Sequence, residues 1–558
     1  MKIELSERIV FLSSLLSILI GILLFVSNSK SIIHPVLLLA IIFMVLPGLV
    51  YGLRFSNNHP IKSFILVFIP ILFINYIYYL TQGDVVGYTD PHFHIQQFKD
   101  IISLDGRLVS EKMFNVSFYF VGLYVLFQIL ESLTFMPIES LASIIPPIFN
   151  CICILAVYVI ITRLHSSKIG IIAVIFFAWE LTVIQFGQEF RTQTLGTLIL
   201  FTYIILLLAS TRTNKINRVY FSIASVPFLV GIVMSSFVLF VSALTILVFT
   251  FIASVVLMSV LKYNKITWSL TAPILVLFGV IFFIYLFNIS YDYSAFFETL
   301  TRLSSNIFRN DDLAQSPASS MPASSQTINL YGPIIPYITN SFYALFAISA
   351  IAYFYFLMKN KDTLRLSIYV GFSSLLVLLF GSYFLGQLSV GRTYILILFL
   401  FAMCTAWVLI SLDDRVNTLN KINNFKFIVL LILLLYVVIS VGKMPQYVVG
   451  DTGFIRNSEP IDSVPYWDVD VPQKNANTFV ENYEEFQYYS VNTLIVRYYS
   501  LELIDRLKHQ DDRNGGLIAI HDKFYNAPYL HRELIKSPDD FRFDNKIYSN
   551  ADYVLFSV

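Results

Sequence analysis

Fourteen apolar stretches, each close to the roughly 20 residues that a helix needs to cross a bilayer, follow one another along this chain. They fall near 9–27, 32–53, 62–81, 114–134, 139–162, 169–187, 194–210, 219–234, 237–261, 267–288, 336–358, 365–385, 391–411 and 425–441. In lipid every backbone amide must be bonded within its own element or to a neighbour, so a series of this length reads as a polytopic bundle of α-helices. Of 558 residues, 57% are hydrophobic and only 13% are charged, which excludes a soluble globule. A net charge of +1 without a long basic tract gives no footprint for a nucleic-acid partner. Cys151 and Cys153 share one apolar run and Cys404 stands in another, a pattern with neither a disulfide framework nor metal-ligand spacing. The first run has no small-residue cleavage site and a second follows at once, so it is expected to be an uncleaved helix.

Basic residues decide how many of the fourteen cross, because loops on the cytoplasmic side carry the excess of Lys and Arg. The clusters are Arg54 with Lys62, Arg163 with Lys168, Arg212 with Lys215 and Arg218, Lys262 with Lys265, Lys359 with Lys361 and Arg365, and Arg415 with Lys421 and Lys426. If every stretch crosses, Arg54 and Lys62 lie opposite to all the later clusters. If 114–134 lies in the interface, all of them share one side. Its phenylalanines and tyrosines, with Asn115 and Ser117 at its start, suit an interfacial helix. The expected architecture is thus about 13 transmembrane helices with a cytoplasmic amino terminus.

That topology divides the chain. Residues 1–61 form two amino-terminal spans. Residues 62–288 form a transmembrane module whose first exterior loop is 82–138. Residues 289–335 make an exterior loop containing the proline- and serine-rich run LAQSPASSMPASSQT, expected to be mobile as a lid or a linker. Residues 336–441 hold the last spans, and 442–558 a small extracytoplasmic α/β domain in which GGLIAI and ADYVLFSV read as short buried strands.

The first exterior loop carries the most polar run in the first quarter of the chain, GDVVGYTDPHFHIQQFKDI. Asp90 precedes Pro91, and Ile95, Phe98, Ile101 and Ile102 recur at helical spacing. This is an amphipathic helix with Asp90 as N-cap and Pro91 at its first position, and a cap of this kind stabilises by about 1 kcal/mol. A cap does not require the company of Asp84, His92, Gln96 and Lys99, and an acid at the membrane surface is also placed to take a proton from an acceptor hydroxyl. A divalent metal held by Asp90 and His94, with His92 or Asp84 nearby, is the other possibility, although the spacing is not that of a zinc motif. No metal and no other cofactor is otherwise called for.

An inner span, an exterior loop with an acid some fifteen residues before Gly106, interfacial aromatics, and then SLASIIPPIFNCICILAVYVIITRLHSSKIGIIAVIFFAWELTVIQFGQEFRTQTLGTLILFTYIILLL together resemble the amino-terminal module of the GT-C glycosyltransferases. The resemblance covers residues 62–261 and the rest in outline. It implies a membrane enzyme using a polyprenyl-phosphate-linked sugar donor and an extracytoplasmic acceptor, with membrane lipids around it. It maps the catalytic acid onto Asp90 and polar groups of the second exterior loop onto Glu189, Arg191 and Gln193; Asp84, His92 and His94 complete the expected binding set. Relatives often pair two acids in the first loop, whereas here Asp90 is followed by Pro91 and His92. In PYWDVD only Trp467 and Asp468 match the sequon-binding motif of oligosaccharyltransferases, which reads as chance.

Arg392, at the exterior mouth of the span 391–411, offers a planar fork for a donor phosphate or an interfacial anchor. Glu180, inside the expected span 169–187, is either functional or neutral and hydrogen-bonded. Beside sugar transfer stand a polysaccharide polymerase or ligase acting on lipid-linked glycans, and a lipid or solute transporter. A transporter should show paired Gly/Pro breaks in its helices, and only Pro146 and Pro147 interrupt a span in that way.

Overall fold

The computed structural model describes residues 2–28, 34–82, 94–95, 98, 122–188, 190–211, 215–266, 268–289, 334–385, 390–420, 424–442, 487–490, 516–521, 545–549 and 553–557. Three long helices open the chain: α1 (Lys2–Asn28), α2 (His34–Phe55) and α3 (Pro60–Gln82). After the first expected exterior loop come α4 (Gly122–Thr134), α5 (Ile138–Leu164), α6 (Ser167–Ala178), α7 (Leu181–Gln188), α8 (Thr192–Ser210), α9 (Lys215–Ser235), α10 (Phe237–Ser259) and α11 (Ala272–Ile289). The last group is α12 (Ile334–Asn360), α13 (Thr363–Leu385), α14 (Val390–Asn420) and α15 (Asn424–Gly442). Among the described residues seven of these are long and apolar enough to cross a membrane by themselves: Glu7–Ser27, Ile138–Leu164, Thr192–Ser210, Asn217–Ser235, Val238–Ser259, Asn340–Asn360 and Thr393–Arg415. Seven shorter apolar helices fall at the remaining expected stretches.

Helix α6 lies at the centre. Its sequence, SKIGIIAVIFFA, is apolar on every side, and every residue from Ile169 to Ala178 is buried, chiefly against α5 and α14. A helix apolar all round can be buried on every side without stranding a polar group, and this one is. Ser166 caps its start, accepting a hydrogen bond from the Ile169 amide at 3.4 Å.

One end of the bundle gathers the basic clusters. Lys62 lies 3.2 Å from Glu7, which also bonds Tyr51, and Tyr158 Oη donates to the Pro60 carbonyl at 3.3 Å. Lys168 pairs with Asp413 at 2.9 Å, Arg365 Nε donates to the Leu164 carbonyl at 2.6 Å, and Thr363 donates to the Asn264 carbonyl at 2.6 Å. Since α3 leaves this face at Pro60 and α5 returns to it at Leu164, the intervening chain begins and ends at the opposite face. Within that segment α4 has only 13 residues, about 20 Å of helix. It buries Leu123, Tyr124 and Phe127 and exposes Val125, Ile129 and Leu133 as a stripe four residues apart, as suits a helix lying in the interface.

The expected span 169–187 is not continuous. Helix α6 stops at Ala178 and α7 starts at Leu181, with Trp179 and Glu180 between them. The Glu180 amide turns to the Phe177 carbonyl at 3.3 Å instead of keeping α-helical register, and the Glu180 carbonyl then accepts from the Val183 and Ile184 amides at 3.0 and 3.1 Å. Tyr436 of α15 donates to the Phe176 carbonyl at 2.9 Å, a group that the break would otherwise leave unsatisfied in lipid.

Beyond the helices, β1 (Gln487–Ser490), β2 (Gly516–His521), β3 (Asn545–Ser549) and β4 (Tyr553–Ser557) form one sheet in the order β1-β2-β4-β3. The pair β1–β2 is parallel and the other pairs are antiparallel. A parallel pair needs a crossover connection, and residues 491–515 between the two strands lie outside the described residues. So do 290–333, which include the expected mobile loop, and Trp467 and Asp468.

Candidate functional site

Residues 94, 95 and 98 are helical, as the spacing of the first exterior loop suggests, and Ile95 and Phe98 are buried. They pack with Leu123, Tyr124 and Phe127 of α4, with Ile138, Leu141 and Ala142 of α5, and with Phe190. The His94 ring joins this packing instead of facing outward: its Nδ1 lies 2.6 Å from Tyr124 Oη, and the ring stands edge-on to Phe190 at 6.4 Å. Burial keeps the Tyr124 hydroxyl well above the ordinary phenol range, so it is neutral and can share one proton with the imidazole. Phe190 also meets Phe127 at 4.6 Å. Residues about a hundred apart in sequence, His94 and Phe190, are thereby joined; Asp90 stands four positions before His94 in the sequence and Arg191 follows Phe190 directly. Asp84, Asp90, His92 and Glu189 themselves lie outside the described residues, as does the side chain of Arg392.

Arg191 is the N-cap residue of α8, extended at φ −135° and ψ 142°. Helices α8, α10 and α14 all begin at this face, and Arg392 falls in the first turn of α14. Converging helix starts carry partial positive charge from their unpaired amides, so this mouth favours an anion.

Beneath the mouth is a cleft whose polar lining is Asn150, Gln193, Thr194, Thr197 and Ser242; Phe177, Val183, Leu239 and Ile395 supply much of its apolar wall. Of the expected binding residues, Gln193 is the one the structure places in this lining. Asn150 is tied from behind: its Nδ2 donates to Asn75 Oδ1 at 2.7 Å and to the Val183 carbonyl at 3.3 Å, while Asn75 Nδ2 donates to the Ile71 carbonyl at 2.8 Å. These bonds join α3, α5 and α7. Gly187 permits the approach, since a Cβ there would stand 1.9 Å from Asn150 Nδ2. The sequence signal for this pair was an amide inside each of two apolar runs, where an unpartnered polar group is costly.

Glu180 sits at the α6–α7 break, with its Oε2 2.6 Å from Tyr436 Oη. Tyr343 and Tyr394 also lie within electrostatic reach of it. Among the described residues no group of three or more His, Cys, Asp or Glu side chains could hold a metal, and the acids and His92 of the metal reading fall outside them.

No family model matches the sequence, and no curated protein matches it. Its fold nevertheless has a counterpart among solved structures. It is similar to the oligosaccharyltransferase of Archaeoglobus fulgidus, in a crystal structure tethered with an acceptor peptide containing the NVT sequon, with a TM-score of 0.50 and 11% identity over 86% of this chain and 71% of that one. Two further structures show weaker likeness. They are ArnT from Cupriavidus metallidurans bound to undecaprenyl phosphate (TM-score 0.48, 10% identity, 88% and 97% covered) and AglB from Archaeoglobus fulgidus with an inhibitory peptide and a dolichol-phosphate (TM-score 0.45, 13% identity, 77% and 60% covered).

Proposed function

We propose that this chain is a membrane glycosyltransferase that moves a sugar, with inversion, from a polyprenyl-phosphate-linked donor to an extracytoplasmic glycan, lipid or protein acceptor. The observation that carries the reading is the seating of the helix at 94–98 on Phe190 within a GT-C fold. That packing supports a site in which Asp90, four positions before His94 in sequence, acts together with Arg191, which follows Phe190.

Asp90 takes the proton of the acceptor hydroxyl, whose oxygen attacks the anomeric carbon as the bond to phosphate breaks. The leaving phosphate keeps the bonding electrons, and Arg191, Arg392 and the start of α8 face its growing charge. Asp84, His92, Glu189 and Gln193 flank donor and acceptor, and the His94–Tyr124 contact fixes the chain just after Asp90. The amino terminus is cytoplasmic, the chain crosses thirteen times with α6 and α7 as one interrupted passage, and the carboxy-terminal domain is outside.

The test is transfer by purified protein in liposomes from a panel of radiolabelled polyprenyl-phosphate sugars. Label should leave its polyprenyl-phosphate donor for a glycan, lipid or protein product with at least one donor. Intact donors across the whole panel, in the presence of extracts containing glycan, lipid and protein acceptors, contradict the reading.

A further inference from the structure

The cleft under Gln193 differs in chemistry from the mouth above it. No charged side chain is among its lining residues; amides of Asn150 and Gln193 and hydroxyls of Thr194, Thr197 and Ser242 face a wall of Phe177, Val183, Leu239 and Ile395. Ser242 and Thr197 each lie five residues past the starts of α10 and α8, about 8 Å below the mouth at 1.5 Å per residue. The cleft is therefore within the depth of the bilayer. Ser242 is 1% exposed, and its Oγ has no hydrogen-bond partner. A buried hydroxyl left unmatched costs on the order of 1–3 kcal/mol, so a hydrocarbon chain alone is a poor occupant. A phosphate is a poor occupant for the opposite reason, since among the described residues no cation lines the cleft to offset its desolvation.

From this we infer that the cleft binds the uncharged, hydroxyl-bearing part of an amphiphile, held at membrane depth below the phosphate. Ser242, Asn150 and Thr197 recognise hydroxyls, and the apolar wall holds the adjoining hydrocarbon. The inference rests on the proposed reaction only for what the bound group would then do; the binding itself does not depend on transfer. In that setting the cleft selects a neutral glycosyl group or a hydroxylated lipid head.

The experiment uses the full-length protein in nanodiscs and a decyl glucoside carrying a diazirine in its alkyl chain. After irradiation, digestion and mass spectrometry should find the label on peptides containing Val238 and Leu239 or Ile395. An excess of unlabelled decyl glucoside should remove it, and decyl phosphate at the same concentration should not. Ser242→Ala, a small truncation checked for a monodisperse fold, should weaken competition about ten-fold, the value of one hydrogen bond. Labelling elsewhere, equal competition by decyl phosphate, or competition unchanged in Ser242→Ala would each overturn the inference, the last marking an adventitious additive only. Because labelling needs no turnover, inactivity toward every donor would leave this result standing.

Discussion

Replacing Gly187 by Ala adds one methyl group to α7 in a place with no room for it. The new Cβ would lie 1.9 Å from Asn150 Nδ2, 2.3 Å from its Cγ and 2.8 Å from its Cβ. Asn150 must swing away, which surrenders its bonds to Asn75 Oδ1 and to the Val183 carbonyl. Overpacking of a filled site costs about 1–3 kcal/mol, and each buried amide group left unmatched costs about 1–3 kcal/mol more. A destabilisation of about 2–5 kcal/mol follows. Asn150→Ala alone should cost less, about 1–3 kcal/mol, because it strands Asn75 without creating a clash. In the double variant the amide is gone but the Cβ of residue 150 still lies 2.8 Å from the new methyl, so only part of the overpacking is relieved and the two losses should be less than additive. Denaturation in mixed micelles, followed by circular dichroism, measures all three. Additive losses, or wild-type stability of Gly187→Ala, would refute the assignment of this glycine to the α5–α7 approach.

Tyr436→Phe removes the hydroxyl that serves the Phe176 carbonyl and Glu180; it should cost about 1–3 kcal/mol and loosen α7, seen as faster hydrogen exchange over 179–190. His165, between α5 and α6, bonds Tyr353 at 2.7 Å and is pushed down to about 3, first by burial and then by Arg365. The folded protein thus keeps it neutral while the unfolded chain binds a proton near pH 6.5, so stability is full above that pH and falls toward pH 3. The slope is about 1.4 kcal/mol per pH unit, or about 2 kcal/mol between pH 6.5 and 5. A His165→Asn variant should lose that part of the pH dependence of unfolding. Arg191→Lys and Arg392→Lys should each lower transfer, the second by on the order of 10² to 10³, since an ammonium lacks the guanidinium fork; near-wild-type rates would remove them from the donor site.

Much of this architecture is legible in the chain itself. Hydropathy marks the helices because burial in lipid depends on summed transfer energy along a segment, and short apolar runs next to turn residues mark GGLIAI and ADYVLFSV as strands β2 and β4. The spacing of Ile95 and Phe98 correctly anticipates a helix with a buried face. The break at Trp179–Glu180 is hidden, since the group that satisfies its open carbonyl is Tyr436, 256 residues from Glu180. The same holds for Asn75 and Asn150: an amide in a span announces a need for a partner, but not which partner. The pairing of His94 with Tyr124 is hidden too, since the two stand 30 residues apart and nothing in the sequence links them.

The role of Asp90 is tested most directly by one substitution. Asn caps a helix about as well as Asp, so Asp90→Asn separates proton transfer from capping. With liposomes containing a donor that the wild-type protein uses, the account predicts transfer lowered by on the order of 10² to 10⁴, the usual contribution of a positioned base, at an unchanged unfolding temperature. Wild-type turnover by the folded Asn variant would contradict it and leave Asp90 as a helix cap.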